Sequence, residues 1–270
     1  MAERDYLLGT HDEELERLGL QHRVWRPRVL DAWRRAGITT GMRVVDAGAG
    51  PGWATIDLAE IVGPDGRVHA LERSERFLAA LREAAALRTL RNIEAHELDL
   101  TTDPLPVEGA DAVWVRWVLT FLADPAAVVA KLSATLKPGG VAVFHEYLDY
   151  RTWSLAPVCP EQEAFKALVM KNWRESGGEP DIGRALPVML SKAGLRVREL
   201  RPIIDVVSPR NYVWRWTASF LHTYLDRLVE EGKADTDWAE SVRSAFARAE
   251  EAPDTVMVTP LVLEVIAEKV

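Results

Sequence analysis

Residues 43–53 read Arg-Val-Val-Asp-Ala-Gly-Ala-Gly-Pro-Gly-Trp, and they join a short apolar strand to a glycine-rich turn that opens a helix. Glycines at positions 48, 50 and 52 let the backbone turn through conformations closed to other residues. They also remove side chains that would keep a ligand away from the backbone N–H groups. The segment therefore predicts a nucleotide-type ligand at the end of the first strand.

The turn differs from a dinucleotide-binding fingerprint, which reads Gly-x-Gly-x-x-Gly and surrounds a pyrophosphate with free N–H groups. Trp53 stands where the third glycine would close the helix on the strand, and Pro51 removes a backbone donor. Asp46, just before the glycines, suits a positively charged amine better than phosphates. A nicotinamide-dependent oxidoreductase is therefore disfavoured.

The pattern Asp-x-Gly-x-Gly-x-Gly at residues 46–52 resembles motif I of the class I S-adenosylmethionine (SAM)-dependent methyltransferases. A second apolar strand ends in Glu72, about 20 residues beyond the loop, where parallel-sheet nucleotide folds place a ribose-binding acid. The turn Leu-Lys-Pro-Gly-Gly at residues 136–140 is one that many methyltransferases of this class carry before their fifth strand. The joint resemblance covers residues 40–150.

The resemblance implies SAM as the cofactor, held mostly at strand ends. Glu72 would accept hydrogen bonds from the ribose hydroxyls, and Asp99 from the adenine amino group, with Leu100 packing on the ring. The ordinary alternative for Glu72 is a solvated glutamate at a strand end. For Asp99 it is a turn or helix-cap residue. Arg116 and Trp117 would line the sulfonium side, although Arg116 could instead neutralise an acidic acceptor. The other predicted cofactor contacts are Asp46, Gly48, Ala49, Gly50, Gly52, Arg73, Tyr6 and Gln21.

Alternating strand and helix patterns over residues 40–146 predict an α/β fold with a doubly wound parallel sheet. By resemblance, strands at residues 195–200 and 256–265 would be the antiparallel pair that ends a Rossmann-like seven-stranded sheet, with its last strand antiparallel. We expect one methyltransferase domain over residues 1–270, with the SAM-binding core at residues 40–150.

Three segments outside that core predict a helical cap over the carboxyl ends of the strands, where ligands of open α/β sheets bind. They are an N-terminal flap at residues 1–35 and helical stretches at 151–193 and 208–253, the last far too long for a hairpin connection. In the flap, Tyr6 and Gln21 could touch the methionine end, or the helix could simply dock by an apolar stripe. Trp216, Phe220 and Tyr224 share one helix face, which either packs the cap or forms an aromatic acceptor pocket.

Candidates for a general base come from the fifth strand and the cap. Methyl transfer from a sulfonium is an in-line displacement, so positioning and exclusion of water are the main requirements, and a hydroxyl acceptor also needs a base. His145 and Glu146 should not both face the pocket, because side chains alternate along a strand, and we favour Glu146. His222 on the cap is next, and His145 is alternatively a histidine packed under a helix.

The composition, with 48% hydrophobic and 27% charged residues, is that of an ordinary globular protein. A net charge of −8 disfavours nucleic acid as a partner, since phosphate binding needs clustered Lys and Arg. The single Cys159 permits no internal disulfide. No apolar run approaches the roughly 18 residues that span a bilayer, and the first residues lack signal-peptide features. We therefore expect a cytoplasmic protein without a membrane partner, and no metal site.

The sequence predicts a SAM-dependent methyltransferase with a small-molecule acceptor, similar to the ubiquinone/menaquinone-biosynthesis-like and secondary-metabolite branch of class I. Oxygen is the first acceptor atom expected, with nitrogen or carbon next. The rival hypothesis is a SAM-binding protein of this fold without methyl transfer, since no single residue is obligatory for the displacement. An aromatic or lipophilic acceptor would suit the tryptophan-rich cap, and a homodimer is left open.

Overall fold

The structure is a computed structural model that describes residues 12–270, in which strands and helices alternate as the sequence pattern predicts. The strands are β1 (Arg43–Ala47), β2 (Arg67–Glu72), β3 (Ile93–Glu97), β4 (Ala110–Arg116), β5 (Leu136–Asp149), β6 (Ser154–Ala156), β7 (Leu195–Ile203), β8 (Val206–Val207), β9 (Val256–Val258) and β10 (Leu261–Lys269).

Helices follow the core strands and build most of the remaining chain. The α-helices are α1 (Asp12–Ala36), α2 (Trp53–Val62), α3 (Glu75–Leu87), α4 (Pro125–Thr135), α5 (Pro160–Glu175), α6 (Leu186–Lys192), α7 (Trp214–Glu230) and α8 (Thr236–Glu251). Short 3₁₀ turns lie at Leu119–Phe121, Tyr150–Thr152 and Ile182–Arg184. Within residues 12–270, no helix is both long and apolar enough to cross a lipid bilayer.

Seven strands form the main sheet in the order β3-β2-β1-β4-β5-β10-β7. Strands β1 to β5 pair in parallel, whereas β10 pairs antiparallel with both β5 and β7. The predicted seven-stranded Rossmann-like sheet with an antiparallel last strand is confirmed. The strand order reverses between β1 and β4, and such a switch point opens a crevice at the carboxyl ends of the strands.

The stretch at residues 256–265, predicted as one strand, is two strands. Residues Val256–Val258 pair with β6 and β8 in a separate three-stranded sheet, and residues from Leu261 onward join the main sheet. Pro260 separates the two, because a proline has no N–H to donate to a ladder. Alternation of apolar residues alone could not reveal this change of sheet.

Helix α1 runs from the predicted N-terminal flap to Ala36 and packs on the main sheet. It continues through Pro27 to Ala36, and Val29, Ala32 and Trp33 are fully buried on its second half. The ring of Trp33 meets that of Trp114 on β4 edge to face, with centroids 5.3 Å apart. This burial outweighs the loss of one backbone hydrogen bond at the proline, and it holds α1 above the strand ends.

Candidate active site

A cavity of about 340 Å³ opens at the carboxyl ends of β1, β2 and β4. The glycine turn and the strand ends build one side of its wall, and α1, the 3₁₀ turn after β4 and the end of α5 build the other. The residues on the wall are Leu18, Gln21, Asp46, Gly48, Ala49, Gly50, Pro51, Trp53, Ala54, Leu71, Glu72, Arg73, Phe77, Leu98, Asp99, Leu100, Trp114, Arg116, Trp117, Val118, Phe121, Leu122, Trp173, Ser176 and Gly178.

The glycine turn is closed by two contacts that only glycine permits. Gly48 has φ 70°, and a Cβ there would lie 2.4 Å from Val118 Cγ2. Gly52 has φ 82°, and a Cβ there would lie 2.2 Å from Leu81 Cδ1. Gly48 is on the cavity wall, whereas the predicted contact Gly52 is buried behind it against α3. Gly52 therefore serves the packing of the turn.

Glu72 joins the end of β2 to the glycine turn. Its Oε2 accepts a hydrogen bond from the Gly50 N–H at 2.9 Å, and its Oε1 accepts from the N–H groups of Arg73 and Ser74 at 2.9 and 3.0 Å. Burial raises the pKa of Glu72, and the three backbone donors oppose that rise. The carboxylate thus shapes the turn and also lies on the cavity wall.

Asp46 is the residue before the last in β1 and lies on the same wall. Its Oδ2 accepts a hydrogen bond from the Thr55 hydroxyl at 2.6 Å. Burial raises the pKa of Asp46 to about 6, the Thr55 hydrogen bond and the charge of Arg116 lower it, and the charge of Glu72 raises it. A carboxylate so placed would favour a cationic group in the cavity.

Asp99 is a turn residue that also lies on the cavity wall. Its Oδ1 accepts hydrogen bonds from the backbone N–H and the hydroxyl of Thr101, at 2.8 and 2.5 Å, as a turn residue does. It also lies on the cavity wall with its neighbours Leu98 and Leu100. The turn bonds hold the carboxyl in place, and the two leucines give the flat apolar surface that an aromatic base would need.

Arg116 is held at the end of β4 by a chain of side chains from α1 and α2. Its Nη2 lies 3.3 Å from His22 Nδ1, and His22 Nε2 lies 3.0 Å from Asp57 Oδ2. Because a guanidinium only donates, His22 accepts at Nδ1 and donates from Nε2 to Asp57. The Nη1 of Arg116 is buried without a hydrogen-bond partner among residues 12–270, and burial lowers the pKa of Arg116 to about 10. This cation has a spare donor that suits an anionic ligand group.

An aromatic wall faces the strand ends. Trp117 has a left-handed backbone with φ 52°, and its ring stacks between those of Tyr147 and Trp216 with centroids 5.4 and 5.5 Å away. Phe121 and Trp173 extend the wall, with centroids 5.0 Å apart. The indole N–H of Trp117 is buried without a hydrogen-bond partner among the described residues. The wall offers an apolar surface made of aromatic rings.

Glu146, the favoured base in the sequence analysis, is not on the cavity wall. It is fully buried, and its Oε1 accepts hydrogen bonds from the N–H groups of Val118 and Leu119 at 2.9 Å each. Burial raises the pKa of Glu146 to about 8, against the backbone donors that lower it. The side chain holds the segment that follows Trp117, because these N–H groups have no other acceptor within residues 12–270.

The two candidate histidines also lie away from the cavity. His145 is fully buried between the rings of Trp25 and Trp114, and its Nε2 lies 2.9 Å from Glu264 Oε2 on β10. His222 is half-buried on α7 and rests against Phe246 of α8. Strand alternation sends His145 and Glu146 to opposite faces, as expected, and neither face presents them to the cavity.

Of the two predicted flap contacts, the structure describes only one. Gln21 is on the cavity wall, and its Oε1 accepts a hydrogen bond from Arg17 Nη1 at 3.0 Å. Tyr6 lies outside the described residues. The titratable residues that the described chain brings to the wall are Asp46, Glu72, Arg73, Asp99 and Arg116.

Several wall residues were not predicted. Trp53 could have been found, because it follows the glycine turn directly, and Phe121 because it closely follows Arg116. Trp173, Ser176 and Gly178 come from the end of α5 and the residues after it, distant in sequence from the motif, and no spacing indicates them.

The aromatic face of α7 supports the cavity from behind. Trp216, Phe220 and Tyr224 are all buried, and none of them lies on the wall. Trp216 stacks on Trp117, and Phe220 lies 6.0 Å from Trp173 between ring centroids. Of the two roles weighed for this face, the structure shows the packing one.

Comparison with known proteins points to one domain type. Residues 44–140 match the family model of the methyltransferase domain. The demethylmenaquinone methyltransferase of Geobacillus stearothermophilus is 31% identical over 123 residues, which are 46% of this chain and 51% of that protein. The chain thus spans about half the length of the curated relatives it matches.

Solved structures agree on the fold. The 4+2 cyclase SpnF superposes with a TM-score of 0.57 at 17% identity, over 90% of this chain and 80% of that one. Coclaurine N-methyltransferase, solved with N-methylheliamine and SAH, has a TM-score of 0.57 at 18% identity, over 90% of this chain and 72% of that one. Domain match and sheet topology agree that residues 44–140 form a methyltransferase domain with a Rossmann-like fold.

Proposed function

We propose that this protein transfers the methyl group of SAM to a small-molecule acceptor. The observation that carries the proposal is a cavity with two unlike sides, one made of strand-end acids and the glycine turn, the other of tryptophan and phenylalanine rings. The first side suits the charged and hydroxyl-bearing cofactor, and the second suits a flat organic acceptor. A demethylmenaquinone methyltransferase among the curated relatives supports a small-molecule acceptor.

Each residue on the cofactor side has a group on SAM that matches its chemistry. We assign Glu72 to the ribose hydroxyls, Asp99 to the adenine amino group, and Leu100 to the adenine ring. Asp46 suits the methionine ammonium, and the unpartnered Nη1 of Arg116 suits the methionine carboxylate, since charge-assisted pairs are the strong ones. With Arg116 assigned to the methionine carboxylate, it would not be free to neutralise an acidic acceptor, the alternative role considered for it.

The acceptor side lacks a base among the described wall residues, since all the acids there belong to the cofactor side. Bound SAM supplies a methyl on a sulfonium, which leaves as a neutral thioether when the acceptor forms its new bond. We propose an oxygen acceptor of low pKa, such as a phenol, whose proton is lost to water before or during transfer. The residues of the cap, at 151–193 and 208–253, hold the rings of Trp117 and Trp173 that would position it.

The test combines binding and turnover. Calorimetric titration should show SAM and S-adenosylhomocysteine binding, and no isotherm for NADH. The protein should then be incubated with SAM and matched panels of phenols, amines and activated carbon acids. Release of S-adenosylhomocysteine should be fastest with the phenols. Turnover only with amines or carbon acids would overturn the oxygen assignment. SAM binding without turnover on any panel would support a role for the bound cofactor other than methyl transfer, and an NADH isotherm without a SAM isotherm would overturn the whole proposal.

Replacing Glu72 by glutamine should weaken SAM binding by about 10- to 100-fold, since an unpaired buried polar group costs about 1–3 kcal/mol. The carboxamide has one acceptor oxygen where the carboxylate has two, so it cannot serve both the turn N–H groups and the ribose. Calorimetric dissociation constants for SAM measure the effect, and the melting temperature checks the fold. The matched control is Glu75→Gln, a half-exposed glutamate paired with Arg82 outside the cavity. Equal SAM affinity in both variants would show that the ribose is held elsewhere.

A further inference from the structure

A second cluster of ligand-type side chains lies on β2 and β3, away from the cavity wall. His69 stands directly opposite Glu94 in the parallel register, and His96 lies two residues further along β3. His69 Nδ1 is 3.2 Å from Glu94 Oε2 and 3.2 Å from His96 Nε2, and the latter two atoms are 4.0 Å apart. The two imidazole planes differ by only 24°. Three potential ligand atoms therefore converge on one small space.

We propose that His69, Glu94 and His96 bind a divalent transition-metal ion, with Zn²⁺ as the best match. Three atoms with these separations surround a point about 2.1 Å from each of them, and Zn–N and Zn–O bonds are about 2.0–2.2 Å long. Two imidazoles with one carboxylate suit zinc and its neighbours in the first transition row better than Mg²⁺ or Ca²⁺, which prefer oxygen ligands. A fourth position would be left for water.

The bonds around the cluster leave one Glu94 oxygen for an ion. The cluster borders a cleft that also contains Arg43, Arg67 and Glu108. Arg67 Nη1 donates to Glu94 Oε1 at 3.0 Å, which leaves Oε2 for the ion, and Arg43 Nη1 donates to the Glu108 carbonyl oxygen at 3.1 Å. Both guanidinium groups are therefore engaged beside the cluster. A hydrogen bond such as that from Arg67 orients a carboxylate that binds a metal ion, here Glu94.

The ligands come from two strands separated by α3, which explains why a sequence search for close ligand spacing predicts no metal site.

The ion would tie an edge strand to its neighbour. Among residues 12–270, β3 pairs only with β2 in the main sheet, and the ends of these strands carry Glu72 and Asp99 to the cavity. Metal–ligand bonds between β2 and β3 would add to the backbone hydrogen bonds that join these strands at the edge of the main sheet. We therefore expect the ion to stabilise the fold, independently of methyl transfer.

The test uses Zn²⁺ alone. Tag-free protein treated with a chelator should bind one Zn²⁺ per chain in a calorimeter at neutral pH, and Zn²⁺ should raise its melting temperature. His96→Ala should weaken this binding at least 10-fold and abolish the rise, and Glu94→Gln, a change at a partly exposed side chain, should do the same without a folding risk. The matched control is His222→Ala, which alters a half-buried histidine outside the cluster and should bind like the unaltered protein.

Two results would overturn the site. Absence of a saturable Zn²⁺ isotherm would show that the two imidazoles merely hydrogen-bond to each other. Equal Zn²⁺ affinity in His96→Ala, Glu94→Gln and the unaltered chain would place any bound ion elsewhere. Neither result depends on SAM binding or turnover, so this inference and the proposed function fail or stand separately.

Discussion

Glu146→Ala should lower the free energy of unfolding by about 3 kcal/mol or more, because each buried N–H left without a partner costs about 1–3 kcal/mol. The carboxylate serves the N–H groups of Val118 and Leu119 directly, and that of Thr120 also contributes to its pKa. Truncating the buried side chain to the methyl group of alanine also leaves a cavity. Urea denaturation followed by circular dichroism measures the loss.

Glu146→Gln is the matched control, since its carbonyl oxygen can still accept from Val118 and Leu119. The folded-state pKa of Glu146 is raised from 4.5 to about 8, so its protonated form contributes stability that is full below pH 4.5 and is lost as the pH rises through about 8. The glutamine has no such titration. The stability of Glu146→Gln relative to the unaltered protein should therefore increase between pH 5 and pH 8, as measured by denaturation at both values.

The same variant decides whether Glu146 is a base. If the residue holds the segment after Trp117, Glu146→Gln should keep most of its SAM affinity and turnover. Loss of turnover with unchanged melting temperature and SAM affinity would contradict the structural role and restore the catalytic one predicted from the sequence.

Trp216→Ala should destabilise the fold by about 3–5 kcal/mol, the usual cost of removing a buried indole. Its ring is 2% exposed and stacks on Trp117 and against Trp25. Without it, Trp117 loses its support on the side opposite the Tyr147 ring, so the acceptor wall should loosen too. Thermal melting, SAM affinity and acceptor KM on the one variant measure both effects.

Trp214→Ala is the control on the same helix. Its ring is 1% exposed, packs on Phe246, and donates to Glu250 Oε1 at 2.6 Å, away from Trp117. We expect a comparable loss of stability, and at temperatures where the protein stays folded, no change in the KM of the acceptor. A raised acceptor KM in Trp216→Ala with an unchanged melting temperature would show instead that Trp216 touches the acceptor.

The cofactor side of the cavity could be predicted from the sequence because its residues follow local rules. A strand, a glycine turn and a helix occupy consecutive residues, and the carboxyl ends of parallel strands meet at one edge of the sheet. Asp46, Glu72 and Asp99 each lie within two residues of the end of a strand, so their positions on one wall follow from counting along the chain. Gly52 shows the limit of this reasoning, since the contact that requires a glycine there is with Leu81.

The acceptor side and the ends of β5 depended on contacts between distant parts of the chain. Strand alternation separates His145 from Glu146, but the partners that bury them, Glu264 on β10 and the backbone after β4, come together only when the sheet assembles. Trp173 reaches the cavity because α5 packs over the 3₁₀ turn with Phe121. Local patterns therefore specify the elements and the strand-end acids, whereas the environment of each remaining side chain is set by packing, which depends on shape and burial across the whole core.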